Sequence, residues 1–114
     1  MNHYVIYTLV GVLVAFVLYK SVAGKSSSEE ARRLVDAGAM LLDVRSPAEF
    51  SSGHIDGAKN IPVDELSSRI SEVGPKEKPV VVYCRSGARS GSATRVLRGA
   101  GFTQVYDLGS MSAW

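Results

Sequence analysis

The apolar and polar residues of this 114-residue chain divide it into two parts. Residues 4–19 carry no charged side chain. If the helix continues to residue 23, with Lys20 reaching the headgroups, residues 4–23 reach about 20 residues and span a lipid bilayer. Tyr4, Tyr7 and Tyr19 lie where aromatic anchors are expected. The pattern predicts a transmembrane anchor over residues 1–24 and a folded domain over residues 25–114.

A cleavable signal peptide is the alternative interpretation of the first segment. Ser21, Val22 and Ala23 offer a small-x-small cleavage site. However, no Lys or Arg precedes the apolar run, whereas Lys20 and Lys25 follow it, and this charge order favours a cytoplasmic C-terminal side. We therefore expect a single-pass membrane protein with a cytoplasmic domain. After cleavage, the domain would instead be secreted or periplasmic.

Beyond the apolar segment, patterns typical of helices and strands alternate along the chain. Capping residues and apolar spacing predict helices at residues 27–38, 46–49, 63–70 and 93–101. Short apolar runs predict strands at residues 40–44, 58–62, 79–84 and 103–108. The run at 79–84 is apolar on both faces, as central parallel strands are. The alternation predicts an α/β fold in which helices cover both faces of a parallel sheet.

Composition restricts the chemistry that this domain can use. The chain has one cysteine and two histidines, which excludes an internal disulfide and a zinc cluster. Residues 84–98 contain four arginines and no acidic residue. Such a concentration of positive charge points to a small anion, because a nucleic acid would need a broader basic face with exposed aromatic residues. We expect no metal site and no nucleic-acid partner.

The single cysteine, Cys84, ends the predicted central strand, and a helix is predicted shortly after it. In parallel sheets, ligands bind beyond the carboxyl ends of the strands. Gly87 lets the following loop curl until its amide groups point at one spot, and those donors would cradle an anion. We expect Cys84 to be a thiolate, because the loop amides, the helix dipole and either Arg85 or Arg89 would stabilise its negative charge. The alternative is a buried cysteine that acts as a small apolar residue.

Five pieces of the sequence together resemble the rhodanese family of sulfurtransferases. They are LLDVRSPAEF, GHIDGAKNIP, VVVYCRSGARS, Gly101 with Phe102, and Trp114, in the family's order over residues 29–114. The resemblance implies a rhodanese-like α/β fold, with four to five parallel strands because KSSS replaces a recognisable first strand. It also implies that Cys84 is the catalytic residue and carries sulfur as a persulfide.

Loop length separates two chemistries within this resemblance. Cys84 and Arg89 are spaced C-x4-R, whereas the related phosphatases resemble C-x5-R, a wider ring suited to phosphate. The shorter loop favours transfer of sulfur from thiosulfate, or a similar anionic donor, to cyanide or a thiol. The expected substrate-binding residues follow Cys84 directly: Arg85, Ser86, Gly87, Ala88 and Arg89. The alternative function is a non-enzymatic persulfide relay or a partner-docking module at a membrane.

Other polar residues are expected to support the site. Asp43 and Arg45 follow a predicted strand on the active-site side, and the resemblance implies that they brace the site. A pair between Arg45 and Glu49 is an equally good alternative for that arginine. His54 is predicted to hydrogen-bond in a turn. Ser86 and Ser90 are predicted to cap a helix, and the alternative is that their hydroxyls bind the anion. Met111 and Trp114 are expected to pack on the sheet.

Overall fold

The computed structural model of the protein describes Tyr7 and residues 27–114. Its elements, in chain order, are α1 (Ser27–Asp36), β1 (Met40–Asp43), α2 (Pro47–Ser51), β2 (Lys59–Asn60), β3 (Val80–Cys84), α3 (Ala88–Gly99) and β4 (Val105–Ser110). Short 3-10 helices cover Val63–Glu65, Ser67–Glu72 and Met111–Ala113. Within the described residues, no helix has the length and hydropathy needed to cross a membrane. The predicted span over residues 4–23 lies outside them, apart from Tyr7.

The four strands of the described part form one parallel sheet in the order β2-β1-β3-β4. All five residues of β3 are buried, and the strand pairs with β1 on one side and β4 on the other. The predicted central strand and the predicted parallel sheet are therefore confirmed. A bulge in β4 shifts the pairing after Val82, so that Ser110 pairs with Cys84. This shift brings the end of β4 beside the cysteine.

Side chains alternate between the two faces of the sheet, as expected for strands that are covered on both sides. On one face, Val80, Val82 and Cys84 pack with Leu97 of α3 and with the 3-10 helices. On the other face, Val81 and Tyr83 pack with Ala31 of α1, with Met111 and Trp114 at the margin. The prediction of helices on both faces is confirmed, as is the packing of Met111 and Trp114.

Two local predictions are wrong in detail. Residues 63–70 do not form one α-helix, because two 3-10 helices meet there and Arg69 has non-helical angles of φ −118° and ψ 22°. The Ser68 hydroxyl donates to the Glu65 carbonyl at 2.9 Å, a side-chain bond that competes with the helical pattern. The last strand begins at Val105 and ends at Ser110, two residues later than predicted at both ends.

Helix α2 illustrates how the sequence shapes the edge of the site. The Ser46 hydroxyl accepts from the Glu49 amide at 3.2 Å, and the Glu49 carboxylate accepts from the Ser46 amide at 3.2 Å. Pro47 occupies the first turn, where its missing N–H costs nothing. The predicted capping box is confirmed, and it fixes Glu49 on the side of α2 that faces the cysteine loop.

Candidate active site

Cys84 lies at the carboxyl end of the central strand, and α3 begins four residues later at Ala88. Cys84 is 0% exposed, so its sulfur lies beneath the loop and not on the molecular surface. Arg85, Ser86 and Ala88 are exposed around it, whereas Gly87 is half-buried. The residues of the loop therefore surround a thiol that is itself buried.

The loop backbone turns its amides towards the sulfur. The Gly87 N–H donates to Cys84 Sγ with 2.9 Å between nitrogen and sulfur. Gly87 has φ 102°, a left-handed conformation that other residues adopt only with strain. The amides of Ser86 and Ser90 also act on the thiol, since both lower the pKa of Cys84. A glycine at this position is thus what allows several donors to converge on one atom.

These donors change the acidity of the thiol. Burial raises the pKa of Cys84, but hydrogen bonds from the Ser90 hydroxyl and from the Ser90, Gly87 and Ser86 amides lower it by more. The net effect is a pKa below the ordinary value, because the donors stabilise the negative charge of the thiolate. Cys84 is buried, as the alternative interpretation expected, yet its polar neighbours point at the sulfur.

Ser90 lies beside Cys84, although the sequence analysis favoured a helix-capping role for it. It is 0% exposed and lies in the first turn of α3. Its hydroxyl donates to the Gly87 carbonyl at 3.0 Å and lies 3.5 Å from the Gly109 carbonyl oxygen, and its interaction with Cys84 lowers the pKa of the thiol. A hydroxyl donates one proton at a time, and in this geometry the main-chain carbonyl of the loop is the nearer acceptor. Its place in the first helical turn after a cysteine loop was the available signal.

Asp43 and Arg45 form a buried ion pair at the end of β1. The Arg45 Nη2 and Nε atoms lie 2.7 and 3.1 Å from Asp43 Oδ2, and Nη2 also donates to the Gly53 carbonyl at 2.7 Å. The carboxylate of Asp43 raises the pKa of Arg45. The pair ties the strand end to the segment after α2. The alternative pairing of Arg45 with Glu49 is wrong, because Arg45 bonds to Asp43 instead.

Glu49 instead pairs with Arg89 of α3. Its two carboxylate oxygens accept from Arg89 Nη1 and Nη2 at 2.6 and 3.0 Å. These bonds, together with the Ser46 amide, hold the pKa of Glu49 at about 2. Arg89 therefore connects the first turn of α3 to α2, and its charge is balanced. Arg85 differs, since it is exposed and has no ion pair among the residues that the structure describes.

A cleft of about 720 Å³ opens beside the cysteine loop. It is lined by Arg45, Ala48, Glu49, Ser52, Arg85, Ser110, Met111 and Ser112. Arg85 follows Cys84 in the chain, and Ser110 pairs with Cys84 across the sheet, so two immediate neighbours of Cys84 line the cleft. In the described part of the chain, no three His, Cys, Asp or Glu side chains are grouped so that they could hold a metal ion.

His54 is placed as the sequence predicted. Its Nδ1 lies 2.8 Å from the Phe50 carbonyl oxygen, and its ring stacks on the Phe50 ring with 3.6 Å between centroids. Both contacts join the end of α2 to the turn that follows it. The role of His54 is therefore structural.

Comparison of the sequence with known protein families agrees with this arrangement of a cysteine loop at the end of a parallel strand. The sequence model of the rhodanese-like domain matches residues 27–114. The chain belongs to the rhodanese-like domain family. This confirms the resemblance that the sequence motifs indicated.

Relatives in the rhodanese-like family include named sulfurtransferases. The uncharacterized protein YqhL of Bacillus subtilis is 41% identical over 103 residues, which cover 90% of this chain and 81% of YqhL. A sulfurtransferase of Allochromatium vinosum is 41% identical over 77% of this chain and 83% of its own length. Sequence relationship thus connects this chain to sulfur transfer in general.

Solved structures of the family share the same fold. The human single-domain sulfurtransferase TSTD1 superposes with a TM-score of 0.66 and 33% identity, covering 75% of this chain and 87% of TSTD1. A rhodanese with anions from E. coli gives a TM-score of 0.64 and 36% identity, covering 68% of this chain and 92% of the other. The four-stranded parallel architecture is therefore that of a rhodanese.

Proposed function

We propose that this rhodanese-like protein is a thiosulfate sulfurtransferase that carries sulfur as a persulfide on Cys84. The observation that supports this most directly is the contact of the Gly87 amide with the sulfur, 2.9 Å from nitrogen to Sγ. A donor in this position stabilises a thiolate before the reaction and a persulfide after it. The acid-free first turn of α3 adds the partial positive charge of a helix N-terminus.

The first half-reaction forms the persulfide. The Cys84 thiolate attacks the outer sulfur of thiosulfate, and a new sulfur–sulfur bond forms. The original sulfur–sulfur bond of thiosulfate breaks, and sulfite leaves with the bonding electron pair. Arg85, exposed at the cleft, attracts the anionic donor and balances charge on the leaving group. Because Cys84 is covered, the exposed side chains of the loop must move aside for the donor to reach it.

The second half-reaction regenerates the thiolate. Cyanide or a thiolate acceptor attacks the outer sulfur of the persulfide, and Cys84 departs as the leaving group with its electron pair. The Gly87 amide again donates its hydrogen bond to the negatively charged sulfur of Cys84. Sulfur moves between two nucleophiles, so the reaction requires no metal, no organic cofactor and no external oxidant.

Steady-state turnover tests this function. The full-length chain is given thiosulfate and cyanide, and thiocyanate is measured for the parent and for Cys84→Ser. A matched control, Cys84→Ser with Ser92→Cys, keeps one thiol in the molecule but moves it from the end of β3 to α3, away from the loop amides. We expect turnover only in the parent. Equal turnover in Cys84→Ser would remove Cys84 as the nucleophile.

The alternative is a persulfide relay without free turnover, or a partner-docking module. Such a protein would take up sulfur from a donor on Cys84 but would release it to small acceptors slowly or not at all. The intact loop, with donors directed at the sulfur, favours chemistry over docking alone. Persulfide formation without thiocyanate production would favour the relay.

We also propose that residues 4–23 anchor the domain in a membrane with the domain in the cytoplasm. The uncharged run of residues 4–19 supports an anchor, and Lys20 and Lys25 directly after it support the cytoplasmic side. The test uses Lys78→Cys, at an exposed position, in a Cys84→Ser background. An impermeant maleimide should label it only after cell lysis. Labelling in intact cells would contradict the cytoplasmic placement.

A further inference from the structure

Helix α1 makes a set of polar contacts to Trp114 that the sulfur-transfer chemistry does not use. The Trp114 main-chain oxygen accepts from Ser28 Oγ at 2.6 Å and from Arg32 Nε and Nη2 at 3.0 and 2.6 Å. The Arg32 guanidinium also lies over the indole ring, 4.7 Å from its centroid. Three donors and a cation–π contact therefore join two parts of the chain that are more than 80 residues apart.

Trp114 directly follows the 3-10 helix Met111–Ala113, which forms one wall of the cleft. The Trp114 amide donates to the Met111 carbonyl at 3.2 Å, and both Met111 and Ser112 line the cleft. A single 3-10 turn has few internal hydrogen bonds, so its position depends on contacts at its ends. At this end, those contacts come from α1.

The other end of the same wall is bonded to the cysteine loop. The Ser110 hydroxyl donates to the Arg85 carbonyl at 2.8 Å, and Ser110 pairs with Cys84 in the sheet. A continuous series of contacts thus leads from Arg32 through Trp114 and the 3-10 turn to the loop that covers the thiol.

We infer that Ser28 and Arg32 are positioning residues that hold the cleft wall closed against the cysteine loop. Their bonds to Trp114 fix the Met111–Ala113 turn, which in turn limits access to the buried sulfur. The part of this inference that concerns substrate rests on the proposed function, since it takes the cleft as the route of the sulfur donor. The part that concerns access to Cys84 does not.

The next residue of α1 provides a matched control. Arg33 carries the same charge as Arg32 and is likewise exposed, but it pairs with Glu30 on its own helix. Arg33→Ala therefore removes an equal charge from α1 without touching Trp114. A second control, Val73→Ala, lowers the stability of the domain. Val73 is 2% exposed and packs on the face of the sheet opposite Trp114, in the core cluster that also includes Cys84.

The first experiment measures alkylation of Cys84 by iodoacetamide in the full-length chain. In Arg32→Ala, alkylation should be about threefold to tenfold faster than in the parent, because lost hydrogen bonds let the wall open. Arg33→Ala should react at the parent rate, and Val73→Ala should be accelerated less than Arg32→Ala. An unchanged rate in Arg32→Ala, or an equal acceleration in either control, would overturn the inference.

The second experiment measures steady-state sulfur transfer. Arg32→Ala should raise the KM for thiosulfate by about two- to tenfold and leave kcat within about twofold, since the wall contributes to binding and not to the chemical step. Arg32→Lys keeps the charge and one donor, so its KM for thiosulfate should lie between the values of the parent and of Arg32→Ala. Normal turnover with an unchanged KM in Arg32→Ala would overturn the positioning role. A parent without turnover would refute the proposed function, and alkylation would still decide the role of Arg32.

Discussion

Replacing Asp43 by alanine perturbs the polar support beneath the cysteine loop most strongly. Both carboxylate oxygens of Asp43 accept hydrogen bonds from Arg45, and Asp43 Oδ1 also accepts from the Arg45 amide at 2.9 Å. The Asp43 side chain is 0% exposed and the Arg45 side chain 8% exposed. Asp43→Ala therefore leaves a guanidinium enclosed by protein with its counter-charge removed.

The expected loss follows from that geometry. Removing one partner of a buried ion pair costs about 3–5 kcal/mol of unfolding free energy, because the remaining charge stays desolvated. Arg45 keeps its 2.7 Å bond to the Gly53 carbonyl and borders the cleft, where it can turn towards water. We therefore expect the lower end of the range, about 3 kcal/mol. A loss of this size is a large part of the total stability of a small domain.

Urea denaturation measures this loss, with the fluorescence of the single tryptophan, Trp114, as the probe. The double variant Asp43→Ala with Arg45→Met removes the stranded charge and should recover most of the lost stability. A loss below about 1 kcal/mol in Asp43→Ala would refute this reasoning, since it would place the pair in the class of exposed ion pairs. A double variant no more stable than Asp43→Ala would refute it as well.

Three further predictions concern charge and pH. Arg85→Ala should raise the KM for thiosulfate by about two- to fivefold and weaken its dependence on salt, and an unchanged salt dependence would contradict this. Because hydrogen bonds lower the pKa of Cys84, the rate of persulfide formation should rise with pH and level off below the ordinary cysteine pKa. Stopped-flow measurement of the rate of persulfide formation against pH checks this, and a profile with an ordinary cysteine pKa would contradict the prediction. Arg89 lowers the pKa of Glu49 to about 2, so their pair stabilises the fold above the ordinary carboxyl pKa and is lost as pH falls towards 2. Urea denaturation should show Glu49→Gln to be less stable than the parent at pH 7, with a difference that shrinks on acidification.

Local patterns were sufficient to predict the central part of the fold. The run from Val80 to Cys84 is fully buried in the structure, since a strand apolar on both faces is stable only between two layers. The capping box of Ser46 and Glu49 and the glycine at the turn of the cysteine loop are likewise short-range features. Each is determined by residues within a few positions, and each was predicted from the sequence.

Long-range pairing could not be predicted in the same way. From the sequence, Arg45 is a nearby partner for Glu49. Only the folded chain brings Arg89, 40 residues away, to the Glu49 carboxylate. The bulge that pairs Ser110 with Cys84 depends on the register between two strands. The contact of Arg32 with Trp114 joins residues 82 positions apart. Such choices depend on tertiary packing, which the spacing of residues along the chain does not encode.

The central claim is that a buried thiol, held as a thiolate by the loop amides, carries sulfur covalently. Intact-protein mass spectrometry tests it most directly, after the full-length chain is incubated with thiosulfate alone. The account predicts a gain of one sulfur, about 32 Da, located on Cys84, and its loss when cyanide is added. An unchanged mass of the parent, or an equal gain in Cys84→Ser, would contradict it.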